Sequence, residues 1–373
     1  MNRSLLVTTT VILSLSVLHG CTSAPPRANP SATAGNPGAA DPESSSAAPM
    51  PVVVPAADVA LPPIVRAPWT YGGDGDVGEV IETSRFRIHT TARDSRIVDR
   101  IGPFMEAALN QYTTTITDLP RPSRAVNTYL FRDRDQWTIK TREVLRNQAS
   151  DFRNLGRGGF TTGGTAVLYD IGLKDTLSIA AHEGWHQYTQ TTFRDPLPLW
   201  LEEGVATYME GFRLSRDGFE FRPWYNWERF GTLRTAVRRG RLIDLEDILE
   251  HTPQAFLNEG KNDLLVYYAQ GWALVQFLVE GENGRYRPQL ERVLRDAAMG
   301  TLHDTLVKAM PDRRRAIRGG LGRALIDGYF TDDFEAFRRE YLRFISAITQ
   351  RGAGYAINQG ISPIEPDDAA PAP

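Results

Sequence analysis

Cysteine is almost missing: Cys21 is the only one in 373 residues. That excludes an intramolecular disulfide, so any folded region must hold through its apolar core. An excess of charge of one sign is also lacking. With 42 basic and 45 acidic side chains the formal net charge is −3, which gives no reason to expect nucleic acid or an anionic surface as partner. No internal repeat is visible. The glycine-rich stretch Gly156 to Gly164 lacks the Gly-Lys-Ser/Thr that would follow in a P-loop, and no Gly-x-Gly-x-x-Gly opens a helix.

The beginning of the chain reads as a leader. Asn2-Arg3 supplies a positive start, and Leu5 to Leu18 is apolar apart from a few hydroxyls, yet too short to remain as a membrane-spanning helix. Leu18-His19-Gly20-Cys21 then places a small residue directly before the cysteine. This resembles the lipobox of bacterial lipoproteins, although His19 departs from the small residue usual at its position. The resemblance implies a signal peptide over residues 1–20, a lipid on Cys21, and a place in the cell envelope anchored to a membrane, the outer one if the host is Gram-negative. Residues 21–63 are dominated by Ala, Pro, Ser and Gly; they bury too little apolar area to offset their ordering entropy and predict a disordered tether.

Between the ends, the fold class expected is α+β. Phe86 to Thr90 alternates as a strand does, and Ala125 to Phe131 reads as a second strand. Arg96 to Thr117 and Arg134 to Gln148 carry helical spacing, with Gly102-Pro103 expected to start or kink the first. This alternation predicts a small α/β unit over residues 64–155, followed by a larger, mainly helical domain over 156–350 and a flexible tail over 351–373. Thr165 to Tyr169 reads as a strand. Asp175 is a plausible N-cap for a helix running through His186.

That helix carries the chemistry. Residues four apart on a helix are separated by about 40° around the axis and about 6 Å along it. In His182-Glu183-Gly184-Trp185-His186 the two imidazoles therefore share a face and can share one Zn²⁺. Glu183 stands beside that face, able to take a proton from a water activated by the metal without competing as a ligand. Zinc needs a third protein ligand. Thr191 to Leu197, with the turn signal Asp195-Pro196 and with Pro198 suited to a first helical turn, would return a second helix antiparallel to the first. One turn into it lie Glu202 and Glu203, which point about 100° apart; periodicity does not choose between them.

Leu201-Glu202-Glu203-Gly204-Val205-Ala206 after the His-Glu-x-x-His resembles the gluzincin peptidases, and especially their peptidase-MA-like bacterial branch. The resemblance covers roughly residues 156 to 280 and implies a zincin-like catalytic domain with an edge-strand sheet. It makes Glu203 the third ligand and leaves Glu202 at a variable position. Tyr267-Tyr268-Ala269-Gln270-Gly271-Trp272-Ala273-Leu274 is similar to the Tyr-x-Lys-Gly-x-Ala-Leu helix of the aminopeptidase branch, with Gln270 in place of the lysine. Carried over, Tyr268 is the donor to the oxyanion; otherwise Tyr267 and Tyr268 are core aromatics. No Gly-x-Met-x-Asn segment is present to hold a free amine, so exopeptidase activity is not implied. The stretch at Gly156 to Gly164 could supply an edge strand to which a peptide substrate pairs.

Some features stay open. Thr207 and Glu210 follow Glu203 on its helix and read equally as supports for the metal ligands or as ordinary helix residues. Phe212 to Arg241 holds eight arginines against three acids, interleaved with Trp224, Tyr225, Trp227 and Phe230. It reads first as a surface insertion, second as the lining of a cleft. His89, His251 and His303 stand without ligand partners in sequence. The expected function is zinc-dependent hydrolysis of a peptide or protein substrate. Its rivals are a non-catalytic zincin-fold module for anchoring or binding, and a zinc hydrolase of a non-peptide cell-wall amide.

Overall fold

A computed structural model of the chain describes residues 12–13, 64–72, 75–146, 158–215, 218–259, 261–309 and 321–364. Cys21, the tether and all of the leader except Ile12 and Leu13 lie outside the described residues. The architecture is α+β, as the alternation and the later helical stretch predict.

A mixed sheet forms the first layer. Its strands are β1 (Ile12–Leu13), β2 (Val65–Tyr71), β3 (Asp76–Glu82), β4 (Phe86–Thr90), β5 (Val126–Phe131), β6 (Phe160–Thr162) and β7 (Thr165–Tyr169), in the order β1-β6-β7-β5-β4-β3-β2. β4, β5 and β7 run parallel, and the others pair antiparallel. Parallel neighbours need a crossover. α1 (Ser95–Thr114) supplies the first and α2 (Arg134–Leu145) lies in the second. The expected boundary at residue 155 therefore falls inside one sheet: β5, from before it, pairs with β7, from after it.

Alternation along the strands sets the two faces. Phe86, Ile88, Val126, Thr128 and Leu130 are buried, while His89 and Tyr129 between them are only half-buried. The buried set faces α1 and α3 (Leu173–Thr192), as the bond from Thr128 Oγ1 to Gln187 of α3 attests. On the other face His89 and Tyr129 stack, and Lys140 of α2 lies 4.4 Å from the Tyr129 ring centre. Asp94 caps α1 by accepting from the Arg96 backbone, and Pro103 lies within the helix rather than starting it.

The second layer is helical. α4 (Leu199–Met209) follows α3 after a short turn, and a small hairpin of β8 (Phe212–Ser215) and β9 (Gly218–Phe221) interrupts the helices. Next come α5 (Trp227–Arg238), α6 (Leu245–Glu250), α7 (Pro253–Glu259) and α8 (Lys261–Gly284), whose regular turns end at Gly281. α9 (Arg287–Met299), α10 (Leu302–Ala309), the short helical turns Gly322–Leu325 and Ile326–Phe330, and the helices Phe334–Thr349 and Ala353–Gln359 follow. The last falls where a flexible tail is expected from residue 351: Ala353–Gln359 is helical, with Ala353 and Ile357 buried. None of the helices among the described residues is long and apolar enough to cross a membrane.

α4 crosses α8 where two glycines meet. A Cβ on Gly204 would lie 3.0 Å from the Gly271 carbonyl oxygen and 2.9 Å from Val275 Cγ2. Nothing larger than hydrogen lets these backbones approach so closely, and that approach places Tyr268, one turn before Gly271, next to α4.

Candidate metal centre

α3 is buried on every side over Ile179 to Thr189. Its start differs from the sequence expectation. Gly172, at φ +99°, precedes the helix, and Asp175 lies in the first turn, where its carboxylate faces the positive end of the helix dipole instead of capping it. The Ile171 backbone N–H donates to Thr176 Oγ1. Pro198 likewise stands one place earlier than expected, at the N-cap of α4.

Two contacts fix α3 in azimuth. Tyr112 of α1 donates to the Ala181 carbonyl, and its hydroxyl lies 2.6 Å from where a Cβ of Gly184 would stand. Beyond His186, Gln187 reaches into the sheet: its Nε2 donates to the carbonyls of Asn127 and Gly164, and its Oε1 accepts from Thr128. The imidazoles are held away from the sheet, toward α4.

There they meet Glu203. One Glu203 carboxylate oxygen lies 3.3 Å from His182 Nε2 and 3.6 Å from His186 Nε2. Ligand atoms from all three residues fall within 4.8 Å of one another. Yet neither Nε2 nor either Glu203 oxygen has a hydrogen-bond partner, although all are buried. Unpaired buried polar atoms are costly in a folded protein, and lone pairs converging on one point are what a cation requires. The residues fit a metal ion.

The far side of each imidazole is anchored. His182 Nδ1 is 2.8 Å from Glu210 Oε1, and His186 Nδ1 is 2.9 Å from Glu202 Oε1. A proton on Nδ1 in these bonds leaves the Nε2 lone pair for a metal. Glu202, open as a ligand in sequence, is thus a support, and it also accepts from Thr189 Oγ1 at 2.6 Å. Glu210 is a support as well. Thr207 is not: its hydroxyl bonds back to the carbonyls of Glu203 and Gly204. Burial favours neutral imidazoles, but the surrounding carboxylates outweigh it, so the metal-free histidines are shifted upward, His186 to about 10. Burial pushes Glu203 upward, and the two histidines more than reverse that. A metal entering the site must displace protons.

Glu183 is fully buried beside this group, and Thr161 Oγ1 of β6 donates to its Oε2 at 2.7 Å. The Tyr268 ring centre is 6.1 Å from that of His182. Burial, then Glu203, holds the Tyr268 hydroxyl well above its usual value and therefore protonated. Gln270, in the lysine position of the resemblance, turns elsewhere: both its amide atoms bond the Ile243 backbone. His89 is half-buried beside Trp69 and Tyr129, and His251 is exposed near Asp247. Neither approaches the centre.

Sequence reasoning missed Thr161, Asn226 and above all Arg229. Arg229, within the stretch read as a surface insertion, is buried and forms an ion pair with Glu210 at 2.7 Å. Burial pushes the Glu210 carboxyl up, and Arg229 and His182 together more than reverse this, so it falls to about 2 against an ordinary 4.5. A lowered carboxyl contributes stability above its unfolded value that is lost as pH falls through the folded one. In the presence of chelator, the wild-type chain should lose stability more steeply than Glu210→Gln between about pH 4.5 and pH 2. Urea unfolding at stepped pH measures both slopes.

No protein family, curated protein or solved structure matches the chain.

Proposed function

We propose that the chain is a zinc-dependent peptidase of the gluzincin type, exported and lipid-anchored through Cys21 to the bacterial cell envelope. The observation that carries the reading is the convergence of His182 Nε2, His186 Nε2 and Glu203 on one point, with the Glu183 carboxylate beside it. Zinc, when bound, supplies a Lewis acid that activates water and polarises a carbonyl. Glu183 takes the proton of the attacking water and delivers it to the leaving amine. Thr161 orients that carboxylate. Tyr268 donates to the carbonyl oxygen as negative charge develops there.

The edge strand supports a peptide as substrate. β6 borders the Glu183 carboxylate, and among the described residues only β1 covers its outer side, Ile12 opposite Thr161 and Leu13 opposite Phe160; these two residues belong to the proposed leader, whose removal would leave this edge to an extended peptide. Backbone pairing of this kind accepts many sequences, with side-chain pockets left to set preference.

A peptide library incubated with the zinc-loaded chain tests the reading. Cleavage should vanish with chelator and return with added zinc. Bound zinc with no cleavage would favour a non-catalytic binding module of the envelope, and hydrolysis confined to a cell-wall amide would move the substrate out of the peptide class.

A further inference from the structure

Arg229 is the one buried arginine among the described residues, 2% exposed. A cation taken from water into a core is costly unless geometry and hydrogen bonds compensate it. Here the compensation is specific. Nε donates to Glu210 Oε2 at 3.0 Å and Nη2 to Glu210 Oε1 at 2.7 Å, a two-point fork on one carboxylate. Asn226, at the N-cap of α5, adds a bond from Nδ2 to Glu210 Oε2 at 2.9 Å. The same Glu210 Oε1 faces His182 Nδ1. On its other side the guanidinium carbon lies 5.2 Å from the centre of the Tyr268 ring, within cation–π range.

We infer that Arg229 is a positioning residue for the metal centre: its fork fixes the Glu210 carboxylate so that His182 presents Nε2 toward Glu203, and its flat face seats Tyr268 beside that ligand. One side chain from α5 thereby couples a metal ligand on α3 to the proposed oxyanion donor on α8. The inference rests on the reading of His182, His186 and Glu203 as a metal site. Lysine cannot replace the arginine in this role. It keeps the charge, but an ammonium is a single point without a planar fork or a flat face to lay against a ring.

The test uses the full chain carrying Arg229→Lys, with zinc affinity measured by competition against a chromophoric chelator and the visible absorption of the cobalt-loaded protein as a second readout. Supports of metal-binding histidines typically change affinity about 10- to 100-fold. Arg229→Lys should weaken zinc binding within that range and alter the cobalt bands, while circular dichroism shows a folded chain. Wild-type affinity with unchanged bands would overturn the inference. Should Arg229→Lys not fold, the uncharged pair Glu210→Gln with Arg229→Met replaces it; the same loss is expected, and wild-type affinity again overturns it. A wild-type chain that takes up no zinc defeats the metal-site reading itself. Wild-type binding together with undiminished binding by the variant defeats only the role of Arg229.

Discussion

Replacing Glu183 by Gln should leave zinc bound at wild-type affinity and lower peptide hydrolysis by about 100- to 10,000-fold, the range that general acid–base groups contribute. The two halves of this expectation come from different observations. Zinc affinity should persist because the converging atoms belong to His182, His186 and Glu203, and Glu183 is not among them. Activity should fall because a glutamine of the same shape keeps the contact with Thr161 but cannot accept a proton from water. Metal analysis and single-turnover hydrolysis on one preparation check both. Retained turnover would remove Glu183 from the chemistry.

The second large effect separates two adjacent glutamates. Glu203→Gln should abolish stoichiometric zinc binding, because the charged ligand between the two Nε2 atoms is lost. Glu202→Gln should weaken zinc about 10- to 100-fold and still saturate at high zinc, since Glu202 acts through His186 Nδ1. Equilibrium dialysis of the two variants gives the answer directly. The opposite ranking would exchange the roles of ligand and support.

These residues also mark where the sequence is legible. His182, Glu183 and His186 can be read because a four-residue spacing has a fixed meaning on a helix, and α3 is a helix through that stretch. The choice between Glu202 and Glu203 could not be made from periodicity, since α4 is buried over Trp200 to Met209 and has no polar face to betray an orientation. Both carboxylates point inward, Glu203 to Nε2 of both imidazoles and Glu202 to Nδ1 of His186 alone. Arg229 was hidden for another reason. A buried arginine looks like a surface one until its carboxylate is known, and Glu210 is nineteen residues away, across the β8–β9 hairpin. Likewise Gln270 aligns with a lysine of the resembling helix, but its amide is committed to the Ile243 backbone. β4, β5, α1 and α2 follow the alternation and spacing of their residues, whereas β2 and β3 are strands that the sequence reading does not contain. What local pattern does not carry is that β5 would find β7.

That pairing bears on how the protein could be dissected. Cut at residue 155, the later piece would keep every residue proposed to hold zinc or to act on substrate. It would also open the β7 edge that β5 covers and strip Gln187 of Thr128 and Asn127, the partners that seat the residue next to His186. Tyr112, which holds the Ala181 carbonyl, would go with them. Part of the foundation for the helix that carries His182 and His186 thus comes from a stretch that contributes no proposed ligand, and a fragment that keeps these contacts must begin upstream of α1.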